Sequence, residues 1–222
     1  MTRRPAGEES LRAQIEQMRQ GMRGQIPHET LVLMQQVTAR LVRSGIAEGC
    51  PKPGERAPAF TLPNVRGCQV SLQSVLGRGP VVLSFYRGGW CPFCNLELRA
   101  LARALPDIEA AGASLVAISP ELPDYGRGTV EANDIRFEVL SDVGNRVARM
   151  FGLVFTLPEE LRPIYAGFGI DLPAHNGDDT FELPMPATYI IGRDGTVLHA
   201  FVSADYTERM EPADIVYLLR RT

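Results

Sequence analysis

Residues 81–86, Val-Val-Leu-Ser-Phe-Tyr, are apolar except at Ser84 and run directly into Arg87-Gly88-Gly89. A strand this apolar has no face to offer water, so it must be covered on both sides, as in the inner strands of a helix-layered sheet. From Pro92 to Ala111 the pattern turns helical, with Leu98, Leu101, Leu105 and Ile108 on one stripe and Gly112 as the stop. Ser-Leu-Val-Ala-Ile-Ser (114–119) then reads as a second buried strand. Strand, helix and strand at this spacing form a right-handed parallel unit, which restricts the chain to an α/β architecture.

The remainder extends that unit. Leu11, Ile15, Met18 and Met22 predict an amphipathic helix over 8–23. Leu31, Met34, Val37 and Leu41 predict a second, with Pro27 before it and Gly45 at its end. These helices are read as an N-terminal extension, residues 1–50, packed on the main domain; a dimer-forming arm is the alternative. The Pro/Gly-rich stretch 49–60 leads into the domain proper, 51–222. Residues 67–72 and 137–140 read as strands, 121–134 as holding at most a short helix, and 144–152 as a helix of about two turns. Residues 157–184 are expected to hold one short helix and an ordered loop. Near the end, 187–192 and 196–202 flank Arg193-Asp194-Gly195 as an antiparallel hairpin, and Pro212 opens a last helix through Ile215, Leu218 and Leu219. The sum is an α/β fold with a mixed central sheet flanked by helices, consistent with the thioredoxin-like type, plus the N-terminal helical extension.

Composition narrows the function. With 45% hydrophobic and 22% charged residues and a net charge of −3, there is no electrostatic case for nucleic acid. Lys52 is the only lysine, and the arginines are scattered. No run approaches the roughly 18 apolar residues of a membrane span. The opening Met-Thr-Arg-Arg has no apolar core behind it, so a cytoplasmic location is expected.

Cys91-Pro-Phe-Cys94 sits where strand gives way to helix. The first helical turn presents unpaired N–H groups and a partial positive charge, and both favour a thiolate. Lowering a cysteine pKa from about 8.5 to about 6 raises the thiolate at pH 7 from about 3% to about 90%. Pro92 suits the first turn, and Cys94 stands one turn deeper, within reach of a bridge. A structural zinc needs four ligands, whereas Cys50, Cys68, His28, His175 and His199 are dispersed. The pair is therefore read as redox-active, with no metal and no cofactor, ahead of a second reading as inert core cysteines.

Over about 54–220, and most strongly over 80–120 and 184–212, the chain resembles the bacterial peroxiredoxin-like proteins of the alkyl hydroperoxide reductase/thiol-specific antioxidant superfamily. The subgroup with a thioredoxin-like Cys-x-x-Cys is the nearest match. The residues that carry the resemblance are APAFTLPNVRG, SLQSVLGRGPVVLSFYRGGWCPFCNLELRAL, LVAISPE and VLSD. The resemblance implies a thioredoxin fold and thiol-based reduction of hydrogen peroxide, organic hydroperoxides or disulfides, with a thioredoxin-like or other thiol reductant as partner. It makes Cys94 the attacker and Cys91 the resolver, whereas the helix-start position favours Cys91. Both are taken as catalytic. Laying the family's Pro-x-x-x-Thr-x-x-Cys on Cys94 puts Cys91 in the threonine place and Arg87 in the proline place. No arginine precedes residues 188–192, where Pro186 or Ala187 falls. By likeness to thioredoxin, Met185-Pro186 is read as a cis bond facing the cysteines, with Pro184 as the rival.

Arg87 is a candidate for stabilising a thiolate or peroxide oxygen, and Trp90 for shielding the sulfur. Cys50 and Cys68 read as bystanders, with a resolving role for either as the alternative, and His175 as a surface residue of the long loop, with a contact to the site as the alternative. Ser203–Pro212 resembles a family tail motif, in which only a turn and a helix cap stand out. Two rival functions remain open: a dithiol-disulfide oxidoreductase with Cys91 as nucleophile, and a thioredoxin-fold sensing or binding module without turnover.

Overall fold

The computed structural model describes residues 9–222; Met1–Glu8, part of the expected extension, lie outside the described residues. The strands are β1 (Thr61–Pro63), β2 (Gln69–Ser71), β3 (Val81–Phe85), β4 (Ser114–Ser119), β5 (Glu138–Ser141), β6 (Val154–Thr156), β7 (Glu182–Pro184), β8 (Ala187–Ile191) and β9 (Val197–Val202). The helices are α1 (Leu11–Gln25), α2 (His28–Arg43), α3 (Leu72–Leu76), α4 (Pro92–Ala110), α5 (Pro123–Ala132), α6 (Arg146–Met150), α7 (Arg162–Gly167), α8 (Leu172–Asn176) and α9 (Pro212–Leu219).

The central sheet has the order β5-β4-β3-β8-β9, with β3, β4 and β5 parallel and β8 and β9 antiparallel to their neighbours. β3 is the middle strand and buried at every position, as its apolar run requires. Its side chains alternate between layers. Val81, Leu83 and Phe85 join Phe151, Tyr189 and Ile118 on one face. On the other face Val82 meets Leu101, Leu105 and Ile108 of α4 and Ile215 of α9, while Tyr86 packs with Cys91, Cys94 and Leu98.

The N-terminal helices lie on this framework. Leu11 and Ile15 are buried in the same cluster as Leu96, Leu98 and Ala100 of α4. Met34 and Val37 of α2 are buried against Leu157, Leu161, Tyr165 and Leu183. Residues 157–184 hold more structure than the expected single helix. β6 and β7 pair antiparallel at the base of the excursion, and α7 and α8 fill it. Each of these short helices carries proline in its first turn, where the missing N–H costs nothing, so its many prolines start helices instead of excluding them. Among the described residues no helix is long and apolar enough to cross a membrane.

Candidate active site

The end of β3, the turn 86–90 and the start of α4 bring Cys91 and Cys94 beneath the tip of the sheet. Two glycines make the turn feasible. Gly88 has φ +151°, and a Cβ there would stand 2.2 Å from the Trp90 indole nitrogen. At Gly89 a Cβ would stand 2.0 Å from Thr129 Oγ1. Polar contacts then fix the turn. Gly89 N–H donates to Glu121 Oε2 at 2.9 Å, and Asn95 Nδ2 donates to the Gly89 carbonyl at 2.7 Å. His175 Nδ1 lies 2.9 Å from Glu121 Oε1, and its ring is 4.1 Å from that of Tyr125. His175 is thus tied to the carboxylate that holds the redox turn, where the sequence suggested a surface residue.

Cys91 is the N-cap of α4 and Pro92 its first residue, as the sequence predicts. Both cysteines are unbridged, with exposures of 1% for Cys91 and 0% for Cys94. Burial pushes both thiols up. For Cys91 it is outweighed by the hydrogen bond from the Cys94 thiol and the charges of Arg87 and Arg209, which bring it down to about 6. For Cys94, burial and the neighbouring Cys91 sulfur add together and hold the thiol well above the ordinary cysteine range. The pair therefore divides into one sulfur poised as anion and one that keeps its proton.

Two buried arginines set this field, and only Arg87 was singled out from the sequence. Its guanidinium is 2% exposed, donates through Nη2 to the Tyr165 hydroxyl, and lies 4.9 Å from the Trp90 ring and 4.7 Å from the Tyr206 ring. Trp90 and Tyr165 meet edge to face at 5.7 Å, and Trp90 packs against the buried cluster that holds Cys91 and Cys94. Arg209 comes from the segment after β9. It donates through Nη2 to Cys94 Sγ at 3.3 Å and through Nε to the buried Glu97 carboxylate. Two further bonds, from Nη1 to the Tyr206 and Glu208 carbonyls at 2.7 Å each, fix its fork. Burial works against the Arg209 charge, but Glu97 and the two sulfurs outweigh it; burial also lifts the Glu97 carboxyl to about 7.

No arginine stands just before β8, but the tail brings Arg209 to the Cys94 sulfur. The quoted tail stretch was its one sequence signal. Tyr165 and Tyr206 carried no comparable signal. Met185 and Pro186 are not brought to the cysteines as a groove. Met185 is fully buried among Leu153, Phe85 and Tyr189, its N–H bonded to the Leu153 carbonyl at 2.8 Å. The Met185–Pro186 peptide is trans, contrary to the expected cis bond, and the Pro186 carbonyl accepts from Ser203 N–H. Cys50 is buried in the opposite layer with Sγ 3.4 Å from the Gly152 carbonyl, and Cys68 is exposed at the β1–β2 turn. Among the described residues no three His, Cys, Asp or Glu side chains converge as a metal site.

The model of the AhpC/TSA family matches residues 53–200, two thirds of the chain, and takes in the strand, the redox turn and α4. The chain belongs to the AhpC/TSA family. Similar proteins point the same way. A Mycobacterium tuberculosis chain, Rv2521, whose name assigns it to the peroxiredoxins, is 36% identical over 100 residues. That match spans 45% of this AhpC/TSA chain and 63% of the relative's length. The thiol-disulfide oxidoreductase ResA of Bacillus thuringiensis is 22% identical over 159 residues, covering 71% of this chain and 74% of the relative. Among solved structures, the peroxidoxin BcpB of Mycobacterium tuberculosis superposes with a TM-score of 0.61 at 24% identity, over 77% of this chain and 97% of its own. The fold is therefore that of the thioredoxin-like peroxiredoxins.

Proposed function

We propose that this chain is a thiol peroxidase in which Cys91 attacks and Cys94 resolves. The reading rests on the place of Cys91 at the start of α4, where the charges of Arg87 and Arg209 bring it down to about 6 while burial holds the neighbouring Cys94 thiol up. The Cys91 thiolate attacks the hydroxyl-bearing oxygen of a hydroperoxide. The O–O bond breaks, an alkoxide or hydroxide departs and takes up a proton, and Cys91 becomes a sulfenic acid. Arg87, a fixed cation in a site that excludes water, stabilises the charge that develops as the O–O bond opens. Cys94 loses its proton and attacks the Cys91 sulfur, hydroxide leaves as water, and the disulfide forms. A thioredoxin-like or other dithiol then reduces the disulfide, becoming oxidised itself.

The second reading, a protein dithiol-disulfide oxidoreductase, draws on the Cys-x-x-Cys at a helix start and on the likeness to ResA. Access weighs against it. A sulfur 1% exposed and packed with Trp90 admits a peroxide more readily than a protein disulfide, and the recycling donor needs that packing to open. The cytoplasmic location and a homodimer stay part of the proposal.

Reduced protein mixed with hydrogen peroxide, followed by Trp90 fluorescence, tests the first step. A second-order rate at least a hundredfold above that of free cysteine is expected at pH 7. A rate no faster than free cysteine, together with rapid reduction of insulin disulfides, would transfer the assignment to the second reading.

A further inference from the structure

A cavity of about 260 Å³ lies between α2 and residues 155–165. Its walls are mostly apolar, with Met34, Val37, Leu41, Phe155 and Leu161, and the side chains of Arg40 and Arg87 also line it. The two buried arginines differ in their charge partners. Arg209 is paired with Glu97, whereas Arg87 has no carboxylate beside it among the described residues; the anion that acts on it is the Cys91 thiolate, with the Tyr165 hydroxyl as its hydrogen-bond acceptor. Among the described residues the buried Arg87 Nε–H has no acceptor. A buried donor left unmet on a buried cation calls for a partner.

The partner depends on redox state. In the dithiol form the Cys91 thiolate balances Arg87. Oxidation removes two electrons and one proton, that of Cys94, from the pair, and neither sulfur of the Cys91–Cys94 disulfide is an anion. Arg87 is then a desolvated cation lining a mostly apolar cavity. We propose that this cavity binds an aliphatic monocarboxylate, and binds it more tightly when Cys91 and Cys94 are joined as a disulfide. The carboxylate accepts from Arg87 Nε–H and from the Tyr165 hydroxyl, and the chain lies along α2. An apolar cavity of about 150 Å³ holds benzene, so 260 Å³ has room for a chain of about eight carbons. Linkage makes the effect reciprocal: the acid holds the pair in the disulfide form, and a tenfold preference corresponds to about 30 mV toward more negative potential.

The inference goes beyond the peroxidase reading and does not depend on it. The disulfide is made with diamide, which takes up the two electrons, the Cys94 proton and one proton from solvent to become its hydrazine, so no peroxide step is involved. Sodium octanoate is titrated calorimetrically into the oxidised and dithiothreitol-reduced full-length protein at pH 7.5. Binding at least tenfold tighter to the oxidised form is expected, with octan-1-ol at least tenfold weaker than octanoate. Arg87→Met removes the charge and abolishes the preference. Leu41→Trp fills the cavity from α2 without touching Arg87, and its fold is checked by circular dichroism; it abolishes binding. No binding to the oxidised protein, equal affinity for both redox forms, octan-1-ol binding as well as octanoate, or undiminished binding by either variant would each overturn the proposal.

Discussion

Cys91 and Cys94 are one helical turn apart and chemically unequal, and the inequality comes from what each sulfur faces. Cys91 accepts from Cys94 and feels both arginines; Cys94 sits deeper, beside a sulfur that is already negative. Alkylation of the reduced protein by iodoacetamide should therefore follow a midpoint near pH 6, where an ordinary cysteine gives about 8.5. Because folding depresses this pKa, the ionised Cys91 contributes stability above the unfolded value. That contribution fades as pH falls through about 6. Replacing Arg209 by Met should move the alkylation midpoint upward by about one unit, since one of two positive neighbours is lost. An unmoved midpoint would mean that Arg209 serves packing alone. At this scale the cysteines were legible because spacing and helix start coincide in one stretch. Arg209 was not, because it meets Cys94 across 115 residues and only the path of the tail brings it there. Tyr165 reaches Arg87 across 78 residues for the same reason.

β3, its turn and α4 form the element that makes the site, and periodicity revealed it. A buried strand, two glycines and a four-leucine-type stripe are local signals, so Val81–Phe85 and Pro92–Ala110 emerge from the sequence with almost these bounds. β6, β7 and α8 did not, since three-residue strands and five-residue helices carry too few periods to read. The fit of the turn gives an element-scale prediction. Gly89→Ala places a methyl against Thr129 Oγ1 and should cost about 1–3 kcal/mol in urea unfolding. Adding Thr129→Ala removes the colliding oxygen and should recover most of that loss. A double variant as unstable as the single one would show that backbone strain, and not this contact, limits the position.

Across the whole molecule, the N-terminal helices are built into the core layers and the excursion between β6 and β7 covers the cysteines. Leu11, 2% exposed in the cluster that also holds Cys91 and Cys94, links α1 to the catalytic layer. Leu11→Ala should destabilise the protein by about 3 kcal/mol in equilibrium unfolding, and a change below about 0.5 kcal/mol would mean that α1 is only loosely attached. Periodicity alone could not place these helices, because an amphipathic stripe says that a face is covered and not by what. The central chemical claim is that Cys91 takes the oxygen. Cys91→Ser and Cys94→Ser proteins are each treated with one equivalent of hydrogen peroxide in the presence of dimedone and weighed by intact-mass spectrometry. Attack by Cys91 predicts the dimedone adduct of a sulfenic acid on the Cys94→Ser protein and none on the Cys91→Ser protein. The adduct on the Cys91→Ser protein alone would contradict it and make Cys94 the attacking residue.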